Sequence, residues 1–130
     1  AVPLGPFLTG LAERGLRLGV VTNDSEVAAR AHLETVAGHF AFIAGFDSGH
    51  GMKPAPEPLL AFAAAMGLAP EQVVMVGDST HDLVAGRRAG MISVGVLTGM
   101  ALEEELAPYA DVVLPDIGHL PGWLDRRASG

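Results

Sequence analysis

Two aspartates, Asp78 and Asp82, lie four residues apart where the apolar run "VVMVGD" gives way to a helical pattern. Asp78 ends the predicted strand, and Asp82 follows about one helical turn later. Two carboxylates that close repel each other unless a cation or a proton lies between them. Such oxygen ligands suit Mg²⁺, which commonly takes one or two carboxylates and completes its shell with water and phosphate. The alternative is that Asp78 caps the helix and Asp82 complements its dipole.

Three more polar residues could act on an anion. Thr22 and Asn23 follow the apolar run "LRLGVV" and precede a helical stretch whose free N–H groups can receive phosphate oxygens, although an ordinary N-cap turn has the same pattern. Lys53 lies in the loop "GHGMKPAPEP". A lysine in such a loop can neutralise charge that develops on a phosphoryl group, or it can be a solvated surface charge.

Histidine adds one further candidate. The five histidines show no spacing typical of metal ligands. His81 lies between the two aspartates, where it is either a substrate contact or an exposed residue of the first helical turn.

The elements that must position these residues alternate between short apolar runs and longer helical patterns. Predicted strands are Leu16–Thr22, Phe40–Phe46, Val73–Asp78, "ISVGVLTG" and "DVVLP". Predicted helices begin at Asp24 or Ser25 and end at Gly38, run from Glu57 to Gly67, and follow Asp78. This alternation predicts an α/β fold with a mostly parallel sheet flanked by helices.

The candidate residues all fall at one edge of that predicted sheet. Thr22 and Asn23 end the first predicted strand, Lys53 lies in the loop after the second, and Asp78 ends the third. Ligands of parallel α/β sheets bind at the carboxyl ends of the strands. We therefore expect these side chains to meet there.

Composition narrows the class of protein. The chain has 130 residues, 49% hydrophobic and 18% charged, which predicts one domain over residues 1–130. Its net charge of −7 disfavours nucleic acid and anionic membrane surfaces as partners, and no apolar run reaches the roughly 18 residues of a membrane helix. The absence of cysteine permits a reducing compartment, and we predict a cytoplasmic protein.

Three stretches in order, "VVTND", "KPAPEP" and "VGDSTHDLVAGRRAGM", resemble the second, third and fourth motifs of the haloacid dehalogenase (HAD) superfamily. The likeness runs from about Pro3 to Leu124 and is closest to the phosphoglycolate-phosphatase-like branch. The resemblance implies a Rossmann-like core and a Mg²⁺-dependent hydrolase of small phosphorylated metabolites that works through an aspartyl-phosphate.

The resemblance also implies a role for each matching residue. Thr22 and Asn23 would bind the phosphate, and Lys53 would steady both the phosphate and the nucleophile. Asp78 would be a catalytic metal ligand, with Asp82 beside it, bound to Mg²⁺ directly or through water.

The first family motif, Asp-x-Asp-x-Thr, is absent. The family's nucleophile and its general acid/base are the two aspartates of that motif, and no two aspartates here are separated by one residue. They are Asp24, Asp47, Asp78, Asp82, Asp111, Asp116 and Asp125. We expect the first central strand and the cap to be missing and the chain alone to be inactive. The two strands flanking the gap would then close it, receive a strand by homo-oligomerisation or strand exchange, or keep open edges.

Two classes of function remain open on the sequence. The chain is part of a HAD-type phosphatase, or it is a non-catalytic phosphate- or Mg²⁺-binding or assembly module derived from that fold. A response-regulator receiver has its acidic residues before the threonine and lysine, which is the reverse of the order here. A dehalogenase of the same superfamily needs no metal. The carboxylate pair of Asp78 and Asp82, which suits a metal ion, argues against that activity.

Overall fold

Five strands and six α-helices follow one another along residues 3–129, the part of the chain that the computed structural model describes. The strands are β1 Gly19–Val21, β2 Phe42–Ala44, β3 Val74–Gly77, β4 Ile92–Val96 and β5 Val112–Leu114. The helices are α1 Leu4–Glu13, α2 Glu26–His32, α3 Glu57–Met66, α4 Thr80–Ala89, α5 Glu103–Leu106 and α6 Leu120–Ser129. All strand pairs are parallel, so the predicted α/β class is confirmed.

The strands form two separate sheets. One contains β1 and β2, and the other has the order β3-β4-β5. Thr22 N donates to Ala44 O across the first pair, and Ile92 N donates to Val73 O across the second. Along a strand of a parallel sheet, successive residues turn their peptide groups to opposite sides. Thr22 and Val73 bond to the partner strands, so the peptide groups of their neighbours Val21 and Val74 point away from those strands. Within residues 3–129, β1 and β3 do not pair, so these two strands do not close the gap between them.

Helix α3 joins the two sheets on one face. Its Leu59 and Ala63 are buried in a cluster that includes Val21 of β1 and Met75 of β3. The helix ends where predicted, at Gly67, whose φ of 68° is the left-handed conformation that favours glycine. The apolar face of α3 therefore holds both sheets in place although their edges do not pair.

Helix α2 is shorter than predicted and ends at His32 rather than at Gly38. Val36 N donates to Leu33 O in a tight turn, and the Val36 side chain packs with Leu8 and Leu11 of α1. Burial of this valine against α1 draws the chain away from the helix axis.

Within residues 3–129, no helix combines the length and the apolar character needed to cross a membrane.

Helix α4 approaches the second sheet closely at Gly86. A Cβ at this position would overlap Ser93 Oγ and would lie 3.0 Å from Met75 Cβ.

We expect Gly86→Ala to lower the free energy of unfolding by about 1–3 kcal/mol in urea denaturation, because the added methyl group overpacks the core. Gly10→Ala is the matched control in the middle of α1, where nothing lies within 4 Å of an added Cβ. It should raise stability by about 0.5–1 kcal/mol. Equal effects of the two substitutions would contradict the close packing.

Candidate functional site

An open cleft of about 320 Å³ lies at the carboxyl ends of β1 and β3. Its lining side chains come from the segments after β1, β2 and β3 and from the first turn of α4. They are Thr22, Asn23, Asp24, Lys53, Asp78, Ser79, His81 and Asp82. The structure thus brings the five residues predicted from sequence to one place, together with the further candidate His81, and it adds Asp24 and Ser79.

A largely buried ion pair lies at the base of the cleft. Lys53 Nζ is 2.5 Å from Asp82 Oδ1 and donates to Val21 O at 2.9 Å. The two charged side chains are 10% and 12% exposed. An ion pair so shielded from water cannot lose one partner without leaving a costly unpaired charge. Lys53 is therefore not a solvated surface lysine.

The second carboxylate oxygen of Asp82 extends these contacts to the other sheet. Asp82 Oδ2 accepts a hydrogen bond from Asp78 N at 3.2 Å. The contacts therefore run without interruption from Val21 O at the end of β1 to Asp78 N at the end of β3. The lengths of these contacts put Val21 O and Asp78 N no more than about 11 Å apart. Two strands with one strand between them lie about 10 Å apart, and with two strands between them about 14 Å. The gap therefore has the width of one strand.

Helix α4 is capped by Ser79 and not by Asp78. Ser79 Oγ accepts from Asp82 N at 3.3 Å, while Asp78 lies outside the helix. The alternative in which Asp78 caps the helix is therefore wrong. Asp82 does lie in the first turn, near the positive end of the helix dipole.

Asn23 fixes the loop that carries Lys53. Its Nδ2 donates to Lys53 O and its Oδ1 accepts from Lys53 N, both at 3.0 Å. Thr22 Oγ1 accepts from Asp24 N at 3.1 Å. Ser25 caps α2 by accepting from Ala28 N, so Thr22 and Asn23 are not its N-cap. Within residues 3–129, Asn23 Nδ2 donates one hydrogen bond of the two it can make, and Thr22 Oγ1 accepts a hydrogen bond but donates none.

The Asp78 carboxylate contrasts with that of Asp82. Asp78 is exposed and its carboxylate takes part in none of the hydrogen bonds within residues 3–129. Asp82 is 9% exposed, and both of its oxygens have partners. Of the two acids, Asp78 has the carboxylate oxygens available to a ligand.

Hydrogen bonds of Glu26 stabilise the start of α2. Ser48 Oγ donates to Glu26 Oε1 at 2.7 Å, and Arg30 Nε donates to Glu26 Oε2 at 3.0 Å. The hydrogen bond from Ser48, and to a smaller extent that from Arg30, lowers the pKa of Glu26 from its ordinary value of 4.5. Glu26 N donates to Asp47 Oδ1, and Phe46 N donates to Asp24 O. The loop after β2 is therefore tied to the segment that carries Asn23.

The additional lining residues differ in how well sequence could find them. Ser79 follows the usual N-cap preference, so its position in front of α4 is a recognisable signal. His81 is both exposed and part of the lining, which keeps both of its predicted alternatives open. Asp24 reaches the cleft only through the turn stabilised by Thr22, and no sequence pattern indicates this.

Comparison with known proteins identifies the family of this chain. Residues 5–96 match the family of haloacid dehalogenase-like hydrolases. The phosphoglycolate phosphatase of Escherichia coli K12 is 38% identical over 112 residues, which cover 85% of this chain and 43% of that protein. The phosphoglycolate phosphatase of Salmonella paratyphi A is 40% identical over 102 residues, covering 77% of this chain and 40% of that protein. The chain thus spans less than half the length of these relatives.

Solved structures show the same fold. A Bacteroides fragilis protein assigned to the haloacid dehalogenase-like hydrolases superimposes with a TM-score of 0.83 at 30% identity, covering 88% of this chain and 56% of that one. The match between family and sequence extends over more than half of the chain. On these grounds the chain belongs to the haloacid dehalogenase-like hydrolases, within the branch that resembles phosphoglycolate phosphatase.

Proposed function

We propose that this chain carries the phosphate- and Mg²⁺-binding half of a HAD-type hydrolase that acts on small phosphate monoesters, similar to phosphoglycolate phosphatase. One observation carries the proposal. A buried lysine, an exposed carboxylate, and a hydroxyl and an amide with unused protons line a single cleft. The relatives named as phosphoglycolate phosphatases support the choice of reaction.

Charge in the cleft favours a metal ion together with the anion. Lys53 is the only lysine of the chain and the only Lys or Arg in the lining, while Asp24, Asp78 and Asp82 are acidic. Lys53 offsets one of these acids through its pair with Asp82. A phosphate group entering beside Asp78 would be repelled unless a further cation were present. The electrostatics therefore call for a divalent cation at Asp78.

The cleft offers few protein ligands for a metal, and Mg²⁺ needs few. Within residues 3–129 no three His, Cys, Asp or Glu side chains are grouped to hold a metal. Mg²⁺ commonly uses one or two carboxylates and keeps several water molecules and phosphate oxygens. In our proposal Asp78 ligates the ion directly and Asp82, already bonded at both oxygens, holds one of its water molecules. The bound ion would polarise the phosphoryl group.

The protein's own groups would then bind and orient the phosphate. Thr22 Oγ1 and Asn23 Nδ2 can each donate a proton to a phosphate oxygen. Lys53 stabilises negative charge that develops on the phosphoryl group. Its position is set from two sides, because Asn23 holds its backbone and Asp82 holds its ammonium.

Covalent phosphoryl transfer needs a nucleophile that this stretch of sequence does not contain, since no Asp-x-Asp is present. The open edges of β1 and β3, about one strand apart, suit a strand from elsewhere. That strand would come from another part of the parent protein or, by strand exchange or homo-oligomerisation, from a second copy.

A second candidate is a non-catalytic module that binds phosphate or Mg²⁺ for regulation or assembly, a function that needs no Asp-x-Asp motif. The two functions separate on the parent protein. An Asp-x-Asp upstream of Ala1, together with hydrolysis by the full-length protein, would support the phosphatase. Binding of Mg²⁺ and phosphate by a full-length protein that hydrolyses no phosphate monoester would support the module.

Asp78→Asn should weaken Mg²⁺ binding by about tenfold or more in isothermal titration calorimetry, because it removes a charged ligand. Glu13→Gln is the control, since it removes an exposed carboxylate of α1 that does not line the cleft. The 130-residue chain should not hydrolyse p-nitrophenyl phosphate with Mg²⁺. Mg²⁺-dependent turnover that Asp78→Asn abolishes would prove the chain catalytically complete, and equal Mg²⁺ affinity in both variants would remove Asp78 from the metal site.

Lys53→Met should lower the affinity for orthophosphate by about tenfold or more and the free energy of unfolding by about 3 kcal/mol, since it leaves Asp82 buried without its partner. Calorimetry and urea denaturation measure the two effects. Arg87→Met removes an exposed cation from α4 and should change stability by less than about 0.5 kcal/mol. If Lys53→Met behaved like this control, neither the ion pair nor the anion site would stand.

A further inference from the structure

Gly99 lies in the loop between β4 and α5, directly against Asp78. A Cβ at position 99 would lie 2.7 Å from Asp78 Oδ2, 2.8 Å from Asp78 Cγ and 3.0 Å from Asp78 Cβ. These are the three nearest heavy atoms, and all belong to Asp78. Contacts shorter than 3.0 Å to a Cβ carbon require one of the two groups to move. A side chain at position 99 would therefore overlap Asp78 unless one of the two moved.

Neither burial nor backbone conformation accounts for a glycine here. Gly99 is exposed, so no core packing excludes a methyl group. Its φ lies outside the left-handed region, unlike that of Gly67 or Gly90, so alanine can adopt the same backbone conformation. Among residues 3–129, the atoms that an alanine Cβ at position 99 would overlap belong to the Asp78 side chain.

Part of the overlap falls on Oδ2 and Cγ, which move when the Asp78 side chain rotates, whereas Asp78 Cβ, at 3.0 Å, does not move with that rotation. The Asp78 carboxylate has no hydrogen bond within residues 3–129 to hold it, so it can rotate away from an added methyl group, and a shift of a few tenths of an ångström in the exposed loop relieves the Cβ contact. Asp78 borders two clefts, the one shared with Lys53 and a second of about 450 Å³ lined in part by Gly99 and Met100. A rotation of Asp78 therefore changes where its charge lies between them.

We propose that Gly99 is a positioning residue, which keeps position 99 free of a side chain so that the Asp78 carboxylate holds the orientation needed to bind a divalent cation. The steric part of this inference stands on the contacts alone. The effect on the cation rests on the function proposed above. Gly99 thereby couples the loop between β4 and α5 to the cleft.

The test compares Gly99→Ala with Gly38→Ala. Gly38 is also exposed, also lacks a left-handed φ, and has nothing within 4 Å of an added Cβ. Mg²⁺ affinity by calorimetry should fall by about tenfold in Gly99→Ala and stay unchanged in Gly38→Ala. The melting temperature of Gly99→Ala should differ from wild type by less than about 2 °C, because the carboxylate and not the core gives way.

A second readout separates this inference from the metal site itself. Three-bond N–Cγ and C′–Cγ NMR couplings report the χ1 angle of Asp78, which should differ between wild type and Gly99→Ala and not between wild type and Gly38→Ala. If the wild-type chain bound no Mg²⁺, the metal proposal would fail, yet these couplings would still decide the steric claim. An unchanged χ1 angle, or an unchanged Mg²⁺ affinity in a chain that binds Mg²⁺, would overturn the role of Gly99.

Discussion

The ion pair between Lys53 and Asp82 is the contact on which the geometry of the cleft depends. It joins the end of β1, through Val21 O, to the end of β3, through Asp78 N, across a gap that no strand of residues 3–129 occupies. Helix α3 holds the two sheets together by apolar packing, which is not directional. The ion pair adds direction, because each of its hydrogen bonds restricts both distance and angle. Helix packing therefore holds the halves near each other, and the ion pair sets how their ends face.

That constraint also divides the work between the two aspartates. Asp82 is buried, and its two carboxylate oxygens accept hydrogen bonds from Lys53 Nζ and from Asp78 N. Asp78 takes part in this network only through its backbone N–H, and its side chain is exposed. Two acids four residues apart thus differ in role because one is buried in an ion pair at the base of the cleft and the other is exposed. In the function we propose, the first positions the lysine and the second holds the cation.

Sequence predicted the parts of the site that follow from local pattern and sheet topology. Asp78 ends a β-branched run and the carboxyl ends of parallel strands share an edge, which is why Lys53 and Asp78 could be expected together. The resemblance leads us to expect a missing central strand, with open edges as one of three outcomes. Which outcome holds depends on strand pairing across the sheet, and no local pattern encodes that. The double hydrogen bond between Asn23 and Lys53, and the contact of Gly99 with Asp78, join residues far apart in the chain. The early end of α2 has the same origin, since Val36 leaves the helix to pack against α1.

The most direct test of this account is the ¹⁵N NMR signal of the Lys53 ammonium, because Lys53 is the only lysine and its signal cannot be confused with another. An ammonium that donates to Val21 O and Asp82 Oδ1 while shielded from solvent should exchange its protons slowly and give a resolved signal. The same signal should be lost to rapid exchange in Asp82→Asn. An ammonium in the wild-type chain that exchanges as fast as that of free lysine would contradict the ion pair and, with it, the arrangement of the cleft.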